Sequence, residues 1–157
     1  MKEINLVTKI RVYSYNELTD ADKNLVDLAK SATQRAYSPY SRFNVGAALL
    51  LANGEIVTGS NQENVAFPSG TCAERTTCFY AHSSYPGVRF VKLAIAAFHN
   101  GAFTPHPVSP CGACRQVLAE YERIGGAKLE IILYGADEIY VLSEVSHLLP
   151  LIFHEDL

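Results

Sequence analysis

Cys111 and Cys114 stand three positions apart in the segment Pro110-Cys111-Gly112-Ala113-Cys114-Arg115, and a third cysteine, Cys72, opens Cys72-Ala73-Glu74-Arg75. Residues three apart on a helix share a face, so Cys111 and Cys114 can hold one ion between them. A thiol at the start of a second helix is easily brought to the same point. Three protein ligands leave the fourth tetrahedral position to water, which marks a catalytic rather than a structural zinc. The soft thiolate set favours zinc or another thiophilic ion over magnesium or calcium. Glu74, two residues beyond Cys72, becomes a proton shuttle if such a water lies beside it. Each feature alone also has a plainer meaning. A Cys-x-x-Cys at a helix start makes a redox dithiol, because the helix N-terminus lowers a thiol pKa. An acidic residue in a first turn commonly just complements the helix dipole. The redox reading leaves Cys72 and Glu74 without a task. The fourth cysteine, Cys78, sits beside Phe79 inside the second helix and reads as a buried thiol.

These residues need helices to carry them and a sheet to hold the helices. Asn16 to Tyr37 reads as a helix capped by Thr19 or Asp20, with Leu25, Leu28, Ala29, Ala32 and Ala36 at helical spacing and Pro39 beyond its end. Asn44 to Ala52 and Glu55 to Ser60 read as two strands around the Asn53-Gly54 turn signal. Cys72 to Tyr85 is predicted helical, Phe90 to Phe98 a buried strand, and Gly101 to Pro110 a loop. A third helix runs from about Cys111 to Ile124, stopped by Gly125-Gly126. Leu129 to Tyr134 and Glu138 to Leu142 complete five strands, and a short helix follows near Ser143 to Leu149. The order predicts a three-layer α/β/α domain around one five-stranded mixed sheet. Nothing divides the chain, so residues 1–157 are expected to form one domain, with residues 1–15 as an extended arm.

The 157 residues carry 13 basic and 16 acidic side chains, a net charge of −3 and a pI near 5.9. A large nucleic-acid footprint wants a basic face, so a small-molecule partner is expected instead. The longest apolar runs, Ala47 to Ala52 and Leu93 to Phe98, fall far short of the roughly 20 residues of a membrane span. No secretory signal is visible, and a cytoplasmic location is expected.

Taken together, C-x-E at 72–74 and P-C-x-x-C at 110–114 form the signature of zinc-dependent deaminases in its three-cysteine variant. The chain resembles the cytidine deaminases, specifically the small homotetrameric type. Four blocks in family order carry the resemblance: Tyr40-Ser41-Arg42-Phe43-Asn44-Val45-Gly46-Ala47-Ala48-Leu49, Gly59-Ser60-Asn61-Gln62-Glu63-Asn64, Thr71-Cys72-Ala73-Glu74-Arg75-Thr76 and Ser109-Pro110-Cys111-Gly112-Ala113-Cys114-Arg115-Gln116-Val117-Leu118. The resemblance implies one zinc ion per subunit on Cys72, Cys111 and Cys114, with Glu74 as general acid and base. It implies deamination of cytidine and deoxycytidine to uridine and deoxyuridine in pyrimidine salvage. Arg75 corresponds to an arginine that offsets the thiolate charge, and Asn61 and Glu63 to a pair that holds the ribose hydroxyls. Phe43 is similar to an aromatic lining the nucleoside pocket. Phe153 is similar to a tail phenylalanine that reaches a neighbouring subunit's site, although Leu151-Ile152 replaces the smaller pair common before it.

Overall fold

The computed structural model describes residues 1–154. Seven strands and three α-helices succeed one another as β1 (Arg11–Tyr13), α1 (Asp20–Ala32), β2 (Asn44–Leu51), β3 (Ile56–Ser60), α2 (Ala73–Ser84), β4 (Phe90–His99), β5 (Ala102–Phe103), α3 (Gly112–Gly125), β6 (Glu130–Tyr134) and β7 (Ile139–Leu142). The strands form one mixed sheet in the order β1-β7-β6-β4-β2-β3, with β5 paired to the end of β4. β4 and β6 run parallel, joined by the crossover through α3, and the remaining pairs are antiparallel.

The α/β/α layering follows from strand periodicity. Ala47, Leu49, Leu51, Leu93, Ile95, Ile131 and Leu133 point to one face, where they pack with Ala73, Cys78 and Ala81 of α2 and Leu118 and Ala119 of α3. Ala48, Ala94, Ala96 and Ile132 point to the other, against Leu25, Val26 and Ala29 of α1. Two glycines let the helices settle closely. A Cβ on Gly46 would lie 2.1 Å from the Ala29 carbonyl oxygen of α1, and one on Gly59 would lie 2.5 Å from Thr77 Oγ1 of α2.

The sheet has seven strands, not five. β1 lies inside the segment expected to be only an arm, and pairs with β7 from Arg11–Val141 to Tyr13–Ile139. β5 arises because Asn100 (φ 52°) and Gly101 (φ 82°) both adopt left-handed backbone, turning the chain back tightly onto β4. The first helix is shorter than its pattern. A reciprocal cap between Ser14 and Glu17 makes a separate 3₁₀ turn, Tyr15–Glu17, before Thr19 caps α1 through the Asp22 amide. At the other end the helix tightens into a 3₁₀ turn at Thr33–Arg35. The short helix expected near Ser143 to Leu149 is likewise a 3₁₀ turn, Val145–His147. Among the described residues no helix is long and apolar enough to cross a membrane.

Candidate metal centre and nucleoside cleft

β3 and β4 point the same way, since both flank β2 antiparallel to it. The helices that follow them, α2 and α3, therefore begin at the same end of the sheet, where their N-termini can meet. Cys72 is the N-cap of α2 and Cys111 the N-cap of α3. Both are extended at the cap, and neither makes the side-chain hydrogen bond that a serine or aspartate would supply. Their sulfurs converge instead: Cys72 Sγ lies 3.8 Å from Cys111 Sγ, which lies 3.5 Å from Cys114 Sγ. All three lie within 4.8 Å of one another. Sulfurs about 2.3 Å from a tetrahedral zinc stand about 3.8 Å apart, so the donor set and its spacing fit that ion.

Two positive helix ends and a guanidinium supply the charge that thiolates need. Arg75 Nη2 donates to Cys72 Sγ at 3.9 Å. Hydrogen bonding from Cys114, with help from Arg75 and Cys111, outweighs burial and draws the Cys72 thiol down to about 5. Cys114 moves upward in return, first through its bond to Cys72 and then through burial. Glu74, in the first turn of α2, is only 5% exposed. Burial foremost, and the charge of Cys72 after it, hold its carboxyl above the ordinary range. An upward shift of this kind suits a carboxyl that must both take up and give back a proton.

Beside the sulfurs opens a cleft of about 600 Å³, lined by Cys72 and Arg75 at one part and by Asn61, Glu63, Tyr40 and Phe67 elsewhere. Asn61 bridges the entry of β2: its Oδ1 accepts from the Val45 amide at 2.7 Å and its Nδ2 donates to the Phe43 carbonyl at 2.9 Å. Glu63 Oε2 accepts from the Tyr40 and Ser41 amides at 2.9 and 3.3 Å. The Ser41 hydroxyl and these amides hold its carboxyl below the usual value. Phe43 lies outside the cleft lining, half-buried and tilted over His99 with ring centroids 5.4 Å apart. Phe153 also lies outside its own chain's cleft; it is 78% exposed, and its carbonyl accepts from Gln116 of α3 at 2.7 Å.

Residues 19–126 match the family described as the cytidine and deoxycytidylate deaminase zinc-binding region. The chain belongs to that family. A curated cytidine deaminase from Sporosarcina psychrophila is 52% identical over 103 residues, 65% of this chain and 70% of that protein. One from Mycobacterium tuberculosis (strain ATCC 25618 / H37Rv) is 42% identical over 115 residues, 73% of this chain and 80% of that protein. The crystal structure of cytidine deaminase from Burkholderia pseudomallei superposes with a TM-score of 0.71 at 38% identity, covering 87% of this chain and 100% of the other.

Three features of this deaminase fold lie outside the sequence expectations. Gln62 forms a two-way backbone clamp with Thr71, each amide donating to the other's carbonyl at 2.9 Å, so the Asn61–Glu63 segment is tied to the residue before Cys72. Arg115 donates to the Pro110 carbonyl through Nε and to the Leu148 carbonyl through Nη1, both at 2.8 Å, bracing the loop that delivers Cys111. Tyr40 and Phe67 meet edge to face at 5.9 Å where they line the cleft. Tyr40 heads one of the family blocks, which was the available signal; the other two contacts join segments with no shared local pattern.

Proposed function

We propose that this chain deaminates cytidine and deoxycytidine hydrolytically, releasing ammonia and leaving uridine and deoxyuridine, in pyrimidine salvage. The observation that carries the reading is a three-thiol cluster at two helix N-termini, with a buried glutamate beside it and a cleft running from it to Asn61 and Glu63. Cys72, Cys111 and Cys114 would hold one zinc ion per subunit, and the ion supplies Lewis-acid activation of water. Glu74 takes a proton from the water that attacks ring C4 and gives it to ring N3; it then takes the proton of the new C4 hydroxyl and passes it to the 4-amino group, which leaves as ammonia as the C4 carbonyl forms. Arg75 and the two helix ends offset the negative charge of three thiolates on one divalent ion. Asn61 and Glu63, held rigid by the backbone around Phe43 and Tyr40, orient the ribose hydroxyls.

Phe43 serves the pocket indirectly, through the carbonyl that accepts from Asn61 Nδ2. Phe153, exposed on its own chain, is suited to enter a neighbour's cleft in a homotetramer. The net charge of −3 favours a free nucleoside over a polynucleotide, and a cytoplasmic location fits the four free thiols. One deaminase domain spans 1–157, its last three residues lying outside those described.

The test is ammonia release from cytidine by the zinc-loaded protein, with Glu74→Ala as the blank. Release that disappears in the variant is expected. No release from cytidine or deoxycytidine, with zinc confirmed present, would refute the substrate assignment. Equal release by the variant would remove Glu74 from the mechanism.

A further inference from the structure

The arm that precedes the deaminase core carries an apolar pattern that stays exposed, with Thr8 reaching back through its hydroxyl to the His147 carbonyl at 3.4 Å. Ile4, Leu6, Ile10 and Val12 alternate with Glu3, Asn5, Lys9 and Arg11. Alternation of this kind marks a strand with one covered face. Yet Ile4 is 74% exposed, Leu6 57%, Ile10 46% and Val12 57%. The arm runs straight into β1, which is the last strand of the sheet. Among the described residues β1 pairs only with β7, so its outer edge offers open backbone donors and acceptors.

We propose that residues 3–13 form an antiparallel strand pair with the same residues of a second copy of this chain, joining the two sheets edge to edge through β1. The argument for a second copy is the self-complementarity of the segment. One register places Ile4 opposite Val12, Leu6 opposite Ile10, and Thr8 opposite Thr8 on the twofold axis. Facing residues in a strand pair share a side of the sheet, so all four apolar side chains then lie together. In the same register Lys9 faces Val7 and Arg11 faces Asn5, leaving the basic residues without like-charged neighbours directly opposite. Sliding two residues one way sets Lys9 against Lys9. Sliding two residues the other way leaves Leu6 facing Thr8 and Val12 facing Lys2. Like charges directly opposite destabilise a strand pair, and a polar or charged partner wastes the apolar face, so the pattern selects one register. The resulting contact is isologous and closes at two chains. It pairs the open edge and sets the apolar side chains of the two arms side by side, which the arm alone cannot do.

The experiment is cysteine crosslinking on the full-length, zinc-loaded chain under mild oxidation, with wild type as the background for its own four cysteines. Thr8→Cys is expected to give covalent dimer at least tenfold above wild type. Leu6→Cys co-expressed with Ile10→Cys is expected to give the mixed dimer, while either variant alone stays at the wild-type level. Thr8→Cys at the wild-type level would overturn the proposal. So would Leu6→Cys crosslinking to itself as well as to Ile10→Cys, because random collision of mobile arms, rather than a fixed register, gives that result. These outcomes do not depend on deaminase activity, which the same samples report separately.

Discussion

Gly59 of β3 lies directly beneath Thr77 of α2, so close that a methyl group on it would meet Thr77 Oγ1 at 2.5 Å and the Thr77 amide nitrogen at 3.1 Å. The helix whose first residues present Cys72 and Glu74 rests on this contact. Gly59→Ala must push α2 off the sheet, at a cost of about 1–3 kcal/mol by the usual penalty for overpacking. Gly46→Ala strains α1 instead, on the face away from the sulfurs. Both variants are expected to unfold at lower urea, but only Gly59→Ala should lose zinc more readily to a competing chelator. Equal zinc retention in the two would show that α2 is not fixed by this contact.

The four cysteines should divide two to two when their thiols are counted in the zinc-free native protein. Cys78 is fully buried, and burial pushes its thiol well above the ordinary range. Zinc occupies thiolates and releases them on removal. A chelator added to the native, zinc-loaded protein is therefore expected to expose two readily reactive thiols, Cys72 and Cys111, and denaturant the two buried ones, Cys78 and Cys114. Four thiols reacting before denaturation would contradict the structure.

Tyr15 donates its hydroxyl to Asp27 Oδ2 at 2.7 Å, and that bond raises the phenol to about 12 from an ordinary 10.0. The raised group favours the folded state while it keeps its proton. Its contribution is fully present below pH 10 and is lost as pH rises through about 12. A titration followed by tyrosinate absorbance should lose its latest component in Tyr15→Phe. The stability difference between the two proteins should shrink over the same interval.

Glu122 of α3 accepts two backbone amides through Oε2, from Leu129 at 2.8 Å and Val145 at 2.9 Å. It ties the approach to β6 to the turn after β7. Glu122→Ala strands both donors and should cost roughly 1–3 kcal/mol, read as a lower urea midpoint with unchanged slope. A change below about 0.5 kcal/mol would mean that water replaces the carboxylate at no loss.

What could be read beforehand was whatever is encoded locally. The three clustered cysteines sit in short motifs, and the Asn53-Gly54 turn announces its own hairpin. The strand β5 depends on an equally local signal, Asn100-Gly101, that lies in a stretch dominated by prolines and so read as loop. β1 is different in kind: its place in the sheet comes from its partner β7, which lies far along the chain. The bonds from Arg115 to Leu148 and from Asn61 to Phe43 are likewise products of the folded arrangement, since no local periodicity joins those segments. Phe43 shows the limit for single side chains: the segment marks an aromatic near the cleft, but only packing reveals that the ring leans on His99.

At positions 72 and 111 the residue at the helix cap is also one of the clustered sulfurs proposed as ligands. Serine or aspartate there would satisfy the free amides of the first turn and strengthen each helix by about 0.5–2 kcal/mol. The same exchange removes a sulfur from the cluster. A search that ranked variants of this chain by thermal stability of the metal-free protein would therefore enrich oxygen side chains at these two sites and deliver sturdier molecules without a catalytic centre.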